Sequence, residues 1–369
     1  MIDKKLLRNF DYVLLFNVLI LSVLGLFMIY SSTQAVGDPY HYMFRQLTFI
    51  LAGLLLLFIV IAVDYNNILY FSRIIYYGNL FILSLVFVPF IGRAGGGAQR
   101  WIDLRFFDFQ PSEFAKVVVI ITLAKFLSSR GNEIDKFTDM IPYFVHIAIP
   151  MGLVFLQPDL GTSMVFLAIY FGVLYFHKVK IKFLSYFAGL LLLLAIPAYF
   201  FLLGDYQKAR LTVFLNPENV DPLGAGFQIL QSIVAIGSGG ITGQGLFQGT
   251  QNQLRFIIEA HTDFIFSVIA EELGFIGAGI TIILFINLVY RILKIAYTSK
   301  DLVGRLICGG VCTMIIFQAF VNMGMALSLM PLTGIPLPFV SYGGSSYIAN
   351  IVAIGLVLNV GMRRDKIMF

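Results

Sequence analysis

The sequence predicts an all-α, polytopic integral membrane protein, and three observations predict it. Hydrophobic residues make up 59% of the 369, and charged residues only 12%. The apolar residues stand in unbroken runs such as "GLLLLFIVIAV", Gly53 to Val63, without the alternation that a membrane-spanning strand needs. Lysine and arginine collect in the short polar tethers between the runs. In lipid only helices or a closed barrel satisfy the backbone, so helices are expected. The whole of 1–369 reads as one multi-span membrane domain.

A spanning helix takes about 20 apolar residues, and about ten such windows follow one another along the chain. The first, 12–31, comes after Lys4, Lys5 and Arg8 and imitates a secretory signal. With the later spans behind it, it reads as an anchor that stays in the membrane. Windows at 45–63, 68–90 and 113–128 follow. Those at 140–157 and 159–176 share one apolar tract, Ile141 to Phe176, which is longer than one crossing needs. Pro158 and Gly161 therefore mark a reversal. The window 183–204 precedes the longest polar excursion, and 264–290, 304–328 and 346–361 complete the set.

Orientation follows from the positive tethers. Arg73, Lys125, Arg130, Lys136, Lys178, Lys180, Lys182, Arg291, Lys294, Lys300, Arg305, Arg363, Arg364 and Lys366 fall on the same side as the N-terminal cluster in a ten-span arrangement. The positive-inside rule makes that side cytoplasmic. Both termini are then inside, and loops 32–44, 91–112, 205–262 and 329–345 are outside. Topology thus accounts for the net charge of +5 and calls for no nucleic-acid partner.

Cys308 and Cys312 lie one turn apart in "CGGVC" with no histidine nearby. Close helix packing through small residues suits them better than a metal site, which needs three or four ligands. The glycine run "GSGGITGQGLFQGT" lacks the lysine and the preceding strand of a P-loop. Its backbone N–H groups either line a concavity for an anion or simply make a flexible loop. Within the same excursion "GFQILQSIVAI", ended by glycines, reads as a segment folded back against the membrane.

The ionisable residues near membrane depth carry the functional question, because an intramembrane charge must face a bundle interior or a wet cavity. Glu113 and Lys116 are three apart at the start of a span, on one helical face. They read either as a helix-start pair or as the polar wall of an outward cavity. Asp159 in "FLQPDLGTS" reads as a helix cap or as a site residue. The stretch "EAHTDFIFSVIAEELGF", Glu259 to Phe275, gathers four acids and a histidine. As a helix from Asp263 it lines up Ser267, Ala270, Glu271, Gly274 and Ala278 on one polar, small stripe facing protein. Phe264, Ile265, Val268 and Phe275 point elsewhere. Asp263 then stands at the outer end, as a site residue or a plain N-cap.

Those words, with "QRWIDL", "QPSEFAK", the long run Gly224 to Gly277 and "TGIPLPFVSYGGSS", resemble the SEDS family (shape, elongation, division and sporulation) in order from about residue 93 to 346. "GTQ" at 249–251 and "GIPLPFVSYGGSS" resemble the RodA branch. The FtsW and SpoVE branches share "AHTDFIF" and "SYGGSS". Ile257 and Ile258 stand where many relatives have Leu-Pro. The resemblance implies ten spans with cytoplasmic termini and a peptidoglycan glycosyltransferase. Such an enzyme polymerises lipid II at the outer face of the bacterial cytoplasmic membrane during elongation. The resemblance further implies a class B penicillin-binding protein and other elongation-complex proteins as partners, and Asp263 as the essential acid.

That chemistry needs a base for the acceptor 4-hydroxyl, which a carboxylate such as Asp263 provides. Inversion by direct displacement needs no covalent sugar intermediate. The lipid pyrophosphate needs positive charge or N–H donors, for which Lys116, Arg100, Arg210 and the Gly343-Gly344-Ser345 backbone are candidates. A divalent cation, Mg²⁺ or Mn²⁺, held by Glu113 or Asp159 is a further possibility, since such ions bridge phosphates with one or two carboxylates. A lipid II flippase or transporter would share the spans, but it wants polar residues along a whole path. A non-catalytic scaffold would tolerate loss of Asp263.

Overall fold

The computed structural model describes residues 8–95, 98–105, 107–130, 134, 136–215 and 225–364. Lys4, Lys5, Lys366 and the Asn-Pro and Asp-Pro steps at 216–217 and 221–222 lie outside the described residues. The elements in order begin with α1 Tyr12–Thr33, α2 Pro39–Ala62, α3 Tyr65–Tyr70 and α4 Ser72–Leu85. Three strands follow, β1 Gly92–Gly95, β2 Ala98–Asp103 and β3 Asp108–Phe109. Then come α5 Pro111–Arg130, α6 Ile141–Leu156, α7 Leu160–Phe176, α8 Ile181–Phe201, α9 Asp205–Leu215 and α10 Ala225–Ser238. The last are α11 Thr250–Gln253, α12 Ile265–Tyr297, α13 Leu302–Ala326 and α14 Gly344–Met362.

A helix lies on every apolar window. Among the described residues, seven helices are long and apolar enough to cross a membrane. α4 and α7, with 14 and 17 residues, are shorter. Five aspartates start helices by accepting a backbone N–H three residues on, or two in the case of Asp64. They are Asp11, Asp38, Asp64, Asp159 and Asp301. Each satisfies a donor that a helix start leaves unpaired. α13 and α14 are buried along most of their length, whereas α8 buries only Phe187. The "CGGVC" motif is explained by packing: a Cβ on Gly309 would come within 2.4 Å of the Phe176 ring. Both cysteine thiols are buried and form no disulfide.

The connection 91–112 is not a plain loop. It carries an antiparallel sheet of order β1-β2-β3, with Arg93 opposite Trp101 and Ile102 opposite Phe109. Its strands are too short and too rich in glycine and charge for a period-two signal to stand out. In the long excursion, α10 packs one side on its neighbours, with Ser232 Oγ 2.6 Å from Ser267 Oγ and donating to Ala326 O at 2.7 Å. Leu230, Ile233 and Val234 on its other side are exposed. An apolar helix thus stands where the sequence leads one to expect it.

α12 departs most from expectation. Its 33 residues would extend about 50 Å, against a hydrocarbon core of about 30 Å. The helix breaks at Gly274, whose φ of 66° and ψ of −164° suit glycine alone. The two amides after the break find carbonyls in the glycine run: Phe275 N–H donates to Gly240 O at 2.9 Å and Ile276 N–H to Ile241 O at 3.1 Å. Residues 275–297 alone then reach about 34 Å and suffice for a crossing. The first turns of the expected window 264–290 thus form a separate segment before the break. The expected stripe is corrected. Phe264, Ile265 and Val268 are as buried as Ser267, Ala270 and Glu271, and only from Phe275 onward is one face exposed.

Gly274→Ala should lower stability by about 1–3 kcal/mol, the usual cost of a non-glycine residue in such a conformation. A Cβ there would also stand 2.3 Å from Gly243 N. A thermal-unfolding midpoint in detergent equal to that of the unmodified protein would contradict this account of the kink.

Candidate functional site

Asp263 ends a tight turn at the opposite end of α12 from Arg291 and Lys294. The N–H groups of Thr262, Asp263 and Phe264 all donate to Glu259 O, at 3.3, 3.1 and 3.3 Å. Three successive carbonyls of the turn are held from outside. Tyr342 N–H donates to His261 O at 2.9 Å. Ser341 Oγ donates to Thr262 O at 2.6 Å, and Asn322 Nδ2 to Asp263 O at 2.9 Å. Paired on all sides, this backbone is a rigid mount for its side chains.

The Asp263 side chain faces Gly334. A Cβ on that glycine would lie 3.4 Å from Asp263 Oδ2 and 3.6 Å from Arg210 Nη1, so carboxylate and guanidinium flank a residue that has no side chain. Burial pushes the Asp263 carboxyl up to about 6, with help from the Glu259 charge, while Arg210, Arg100 and the Thr262 hydroxyl pull it down. His261 packs between Tyr42 and Tyr342, with ring centroids 5.4 and 5.6 Å away. Burial holds its pKa below the usual histidine range against the opposing pull of Glu259.

On the Arg210 side of Gly334 a cleft is lined by Arg100, Gln207 and Arg210 together with Leu160, Met164 and Leu332; Asp263 does not line it and meets it through Arg210. Arg100 enters from β2. Its Nε donates to Gln157 O at 3.2 Å, its Nη2 to Pro158 O, and its Nη1 lies 3.8 Å from Asp159 Oδ1. Arg210 enters from α9 and donates to Leu332 O at 3.5 Å. Four predicted residues are therefore gathered in one region: Asp263, Arg210, Arg100 and, behind Arg100, Asp159. Asp159 also caps α7 through Thr162 N and Oγ1, both at 3.0 Å.

The remaining candidates are placed elsewhere. Glu113 and Lys116 form a 2.8 Å ion pair with 2% and 1% exposure, and neither lines the cleft. Gly343 N–H already donates to Gln46 Oε1 at 3.2 Å, and a Cβ on Gly344 would press within 2.6 Å of the Phe49 ring. Ser345 Oγ accepts from Gln110 N at 2.9 Å and donates to Asp108 O at 3.2 Å. This segment bridges β3 and α5 to α14 and is closed by its own contacts, so it is not an open nest. As cation ligands Glu113 and Asp159 do not form a pair, because one faces Lys116 and the other caps α7 beside Arg100. Among the described residues, no three His, Cys, Asp or Glu side chains converge.

Backbone N–H groups in and just after the glycine run are taken by the chain's own carboxylates. Phe247 N–H donates to Glu272 Oε2 at 3.0 Å and Gln251 N–H to Glu271 Oε1 at 2.8 Å. Ser31 of α1 donates to Glu272 Oε1. Gln207, Gly334, Ser341 and Asn322 escaped the sequence reading as individual site residues. Gly334 and Ser341 lay inside a recognised motif, and Asn322 was signalled as a polar residue in an apolar helix. Gln207, in the long excursion, gave no signal.

Lys116→Met should destabilise the fold by about 3–5 kcal/mol, the cost of stranding one member of a buried pair. Glu113→Gln with Lys116→Met should recover much of that loss. Thermal melts of the two variants decide it, and equal melts would show that the pair is not coupled.

Residues 12–366 match the family model described as "Cell cycle protein", the FtsW, RodA and SpoVE family. The probable peptidoglycan glycosyltransferase FtsW of Geobacter metallireducens is 37% identical over 369 residues, covering 98% of this chain and 97% of that protein. The peptidoglycan glycosyltransferase MrdB of Escherichia coli is 38% identical over 360 residues, covering 97% and 95%. A solved structure described as coordinating polymerization and crosslinking in a peptidoglycan synthase complex superposes with a TM-score of 0.80 at 36% identity, covering 96% of this chain and 99% of that one. With this match, the helical fold and the gathered acid and arginines, the chain belongs to the SEDS family and is a multi-pass membrane glycosyltransferase of that type.

Proposed function

We propose that this glycosyltransferase polymerises lipid II into the glycan strands of peptidoglycan, with Asp263 as the general base. The observation that carries the reading is the Asp263 carboxylate, mounted on a rigid turn and pushed up to about 6, beside a cleft with two guanidiniums. A base with a pKa just below working pH is both ionised and able to take a proton.

In the proposed step the acceptor 4-hydroxyl gives its proton to an Asp263 oxygen as its own oxygen forms a bond to C1 of the donor sugar. The bond from C1 to the pyrophosphate oxygen breaks on the opposite side, and the electron pair leaves with the lipid pyrophosphate. Arg100 and Arg210 meet the charge that develops there with preset N–H donors. The configuration at C1 inverts in this single displacement.

The positive tethers support a ten-span arrangement with both termini cytoplasmic, which sets the cleft at the outer face of the bacterial cytoplasmic membrane. Duty in elongation rests on the RodA-like words at 249–251 and 334–346. Relatives named FtsW and MrdB are about equally similar, so a division or sporulation role is the alternative that deletion phenotypes would separate. A class B penicillin-binding protein is the proposed partner. The related solved structure, described as coordinating polymerization with crosslinking, supports it.

Asp263→Asn should abolish glycan ladders from fluorescent lipid II while the protein still inserts and folds. Ladders of normal length from that variant would remove the base assignment and return a flippase or scaffold to consideration. For the unmodified enzyme, the carboxylate must lose its proton to act as a base. Its rate should therefore fall about tenfold per pH unit below about 6 and level off above. A rate flat from pH 5 to 8 would contradict it. Arg210→Ala should lower kcat by roughly 10²- to 10³-fold, the range for losing one preset donor. A change in KM alone would assign Arg210 to binding only.

A further inference from the structure

Asn322 lies on α13, a buried helix, and is itself fully buried. A buried amide costs stability unless its N–H groups find acceptors, and it has two to place. Nδ2 is 2.9 Å from Asp263 O and 2.9 Å from Ile335 O. The two carbonyls belong to different loops. One ends the turn that carries Asp263. The other directly follows Gly334, the residue flanked by Asp263 Oδ2 and Arg210 Nη1.

Ser341 and Tyr342 also hold the turn, at Thr262 and His261, but they ride on the same loop as Ile335 and move with it. Asn322 alone of the three sits on a long helix, which gives both loops a fixed reference. The same loop is pinned on its far side to α7, where a Cβ on Gly161 would stand 2.6 Å from Thr333 O. Asp159, at the start of α7, faces Arg100. The amide thus stands where the acid and the two arginines are brought into register.

We propose that Asn322 is a positioning residue for glycosyl transfer: by holding Asp263 O and Ile335 O on one amide, it sets the Asp263 carboxylate against the Arg210 side of the cleft. The proposal rests on Asp263 being the base. It makes no contact with substrate, so it acts through geometry, where a displacement of about 1 Å costs up to 10²-fold in rate.

The charges that face Asp263 are Glu259 from its own turn, Arg210 from α9 and Arg100 from β2. Loop 327–343 carries no charged residue, and Asn322 is neutral. Replacing it with an apolar residue therefore leaves the charges unchanged and alters only the enclosure of the carboxylate. A loosened turn admits water, and the carboxyl falls back toward the ordinary range.

The test uses full-length protein in detergent with fluorescent lipid II, comparing the unmodified enzyme with Asn322→Leu, Asn322→Ser and Asp263→Asn. Asn322→Leu removes both donors while keeping the number and branching of the side-chain heavy atoms. Asn322→Ser leaves room for a water to donate in their place, so it stays measurable if the leucine variant does not fold. Expected for Asn322→Leu are a kcat per folded molecule lower by roughly 10- to 100-fold, a KM within about twofold, and an acid limb of the rate profile moved to lower pH. Asn322→Ser should move the same way by less. A limb at the unmodified pH in every variant that folds, whether the rate is normal or uniformly reduced, makes the amide merely structural and overturns the proposal. Activity in Asp263→Asn would instead strike the base reading on which it stands.

Discussion

A backbone group buried away from water with no partner inside the protein has none at all, and the irregular parts of this molecule are shaped by that constraint. Where α12 breaks at Gly274, the amides of Phe275 and Ile276 are taken up by carbonyls at 240 and 241. That loop in turn aims its own N–H groups at Glu271 and Glu272. The turn at 259–263 exposes three carbonyls, and Tyr342, Ser341 and Asn322 close them one by one. These two non-helical segments are held by polar groups brought from distant parts of the chain. The candidate site stands on the segment held most completely.

The same constraint divides the acids between roles. Five aspartates cap helices. Glu271 and Glu272 hold the glycine run. Glu113 neutralises Lys116 inside the bundle. Glu259 remains exposed and accepts from the Thr262 hydroxyl of its own turn, at 3.2 Å. Asp263 differs from all of these, because burial raises its carboxyl while the charges of two arginines oppose the rise. A carboxylate kept close to a cation would be a poor base, since the cation holds its pKa low. Arg100 and Arg210 face the cleft while burial lifts Asp263. One region thereby holds a carboxyl raised by burial and two guanidiniums side by side.

The helical windows were legible because partition into lipid is decided locally, by about 20 residues at a time. The aspartate caps were legible for the same reason, as Asp159 illustrates. The small sheet at 92–109 was not, since its pairing of Arg93 with Trp101 and of Ile102 with Phe109 is a relation between strands. Nor was the kink. Gly274 reads as one more small residue on a stripe until the loop carbonyls arrive beside it. Lys116 and the 343–345 segment misled for a related reason: a lysine and a run of glycines advertise anion binding, yet both were already engaged, by Glu113 and by Gln46 and Phe49.

By itself the sequence determined that the chain lives in a membrane, where its helices lie, its family resemblance and which acid to single out. Those are properties of composition and of short words, fixed by hydropathy and by local chemistry. Only the tertiary structure decided which charges stand together. Arg100, Asp159, Arg210, Asp263, Asn322 and Gly334 come from six separate stretches of chain. Their convergence depends on how the helices and loops pack, because electrostatics and hydrogen bonding act across a few ångströms of space and not along the chain.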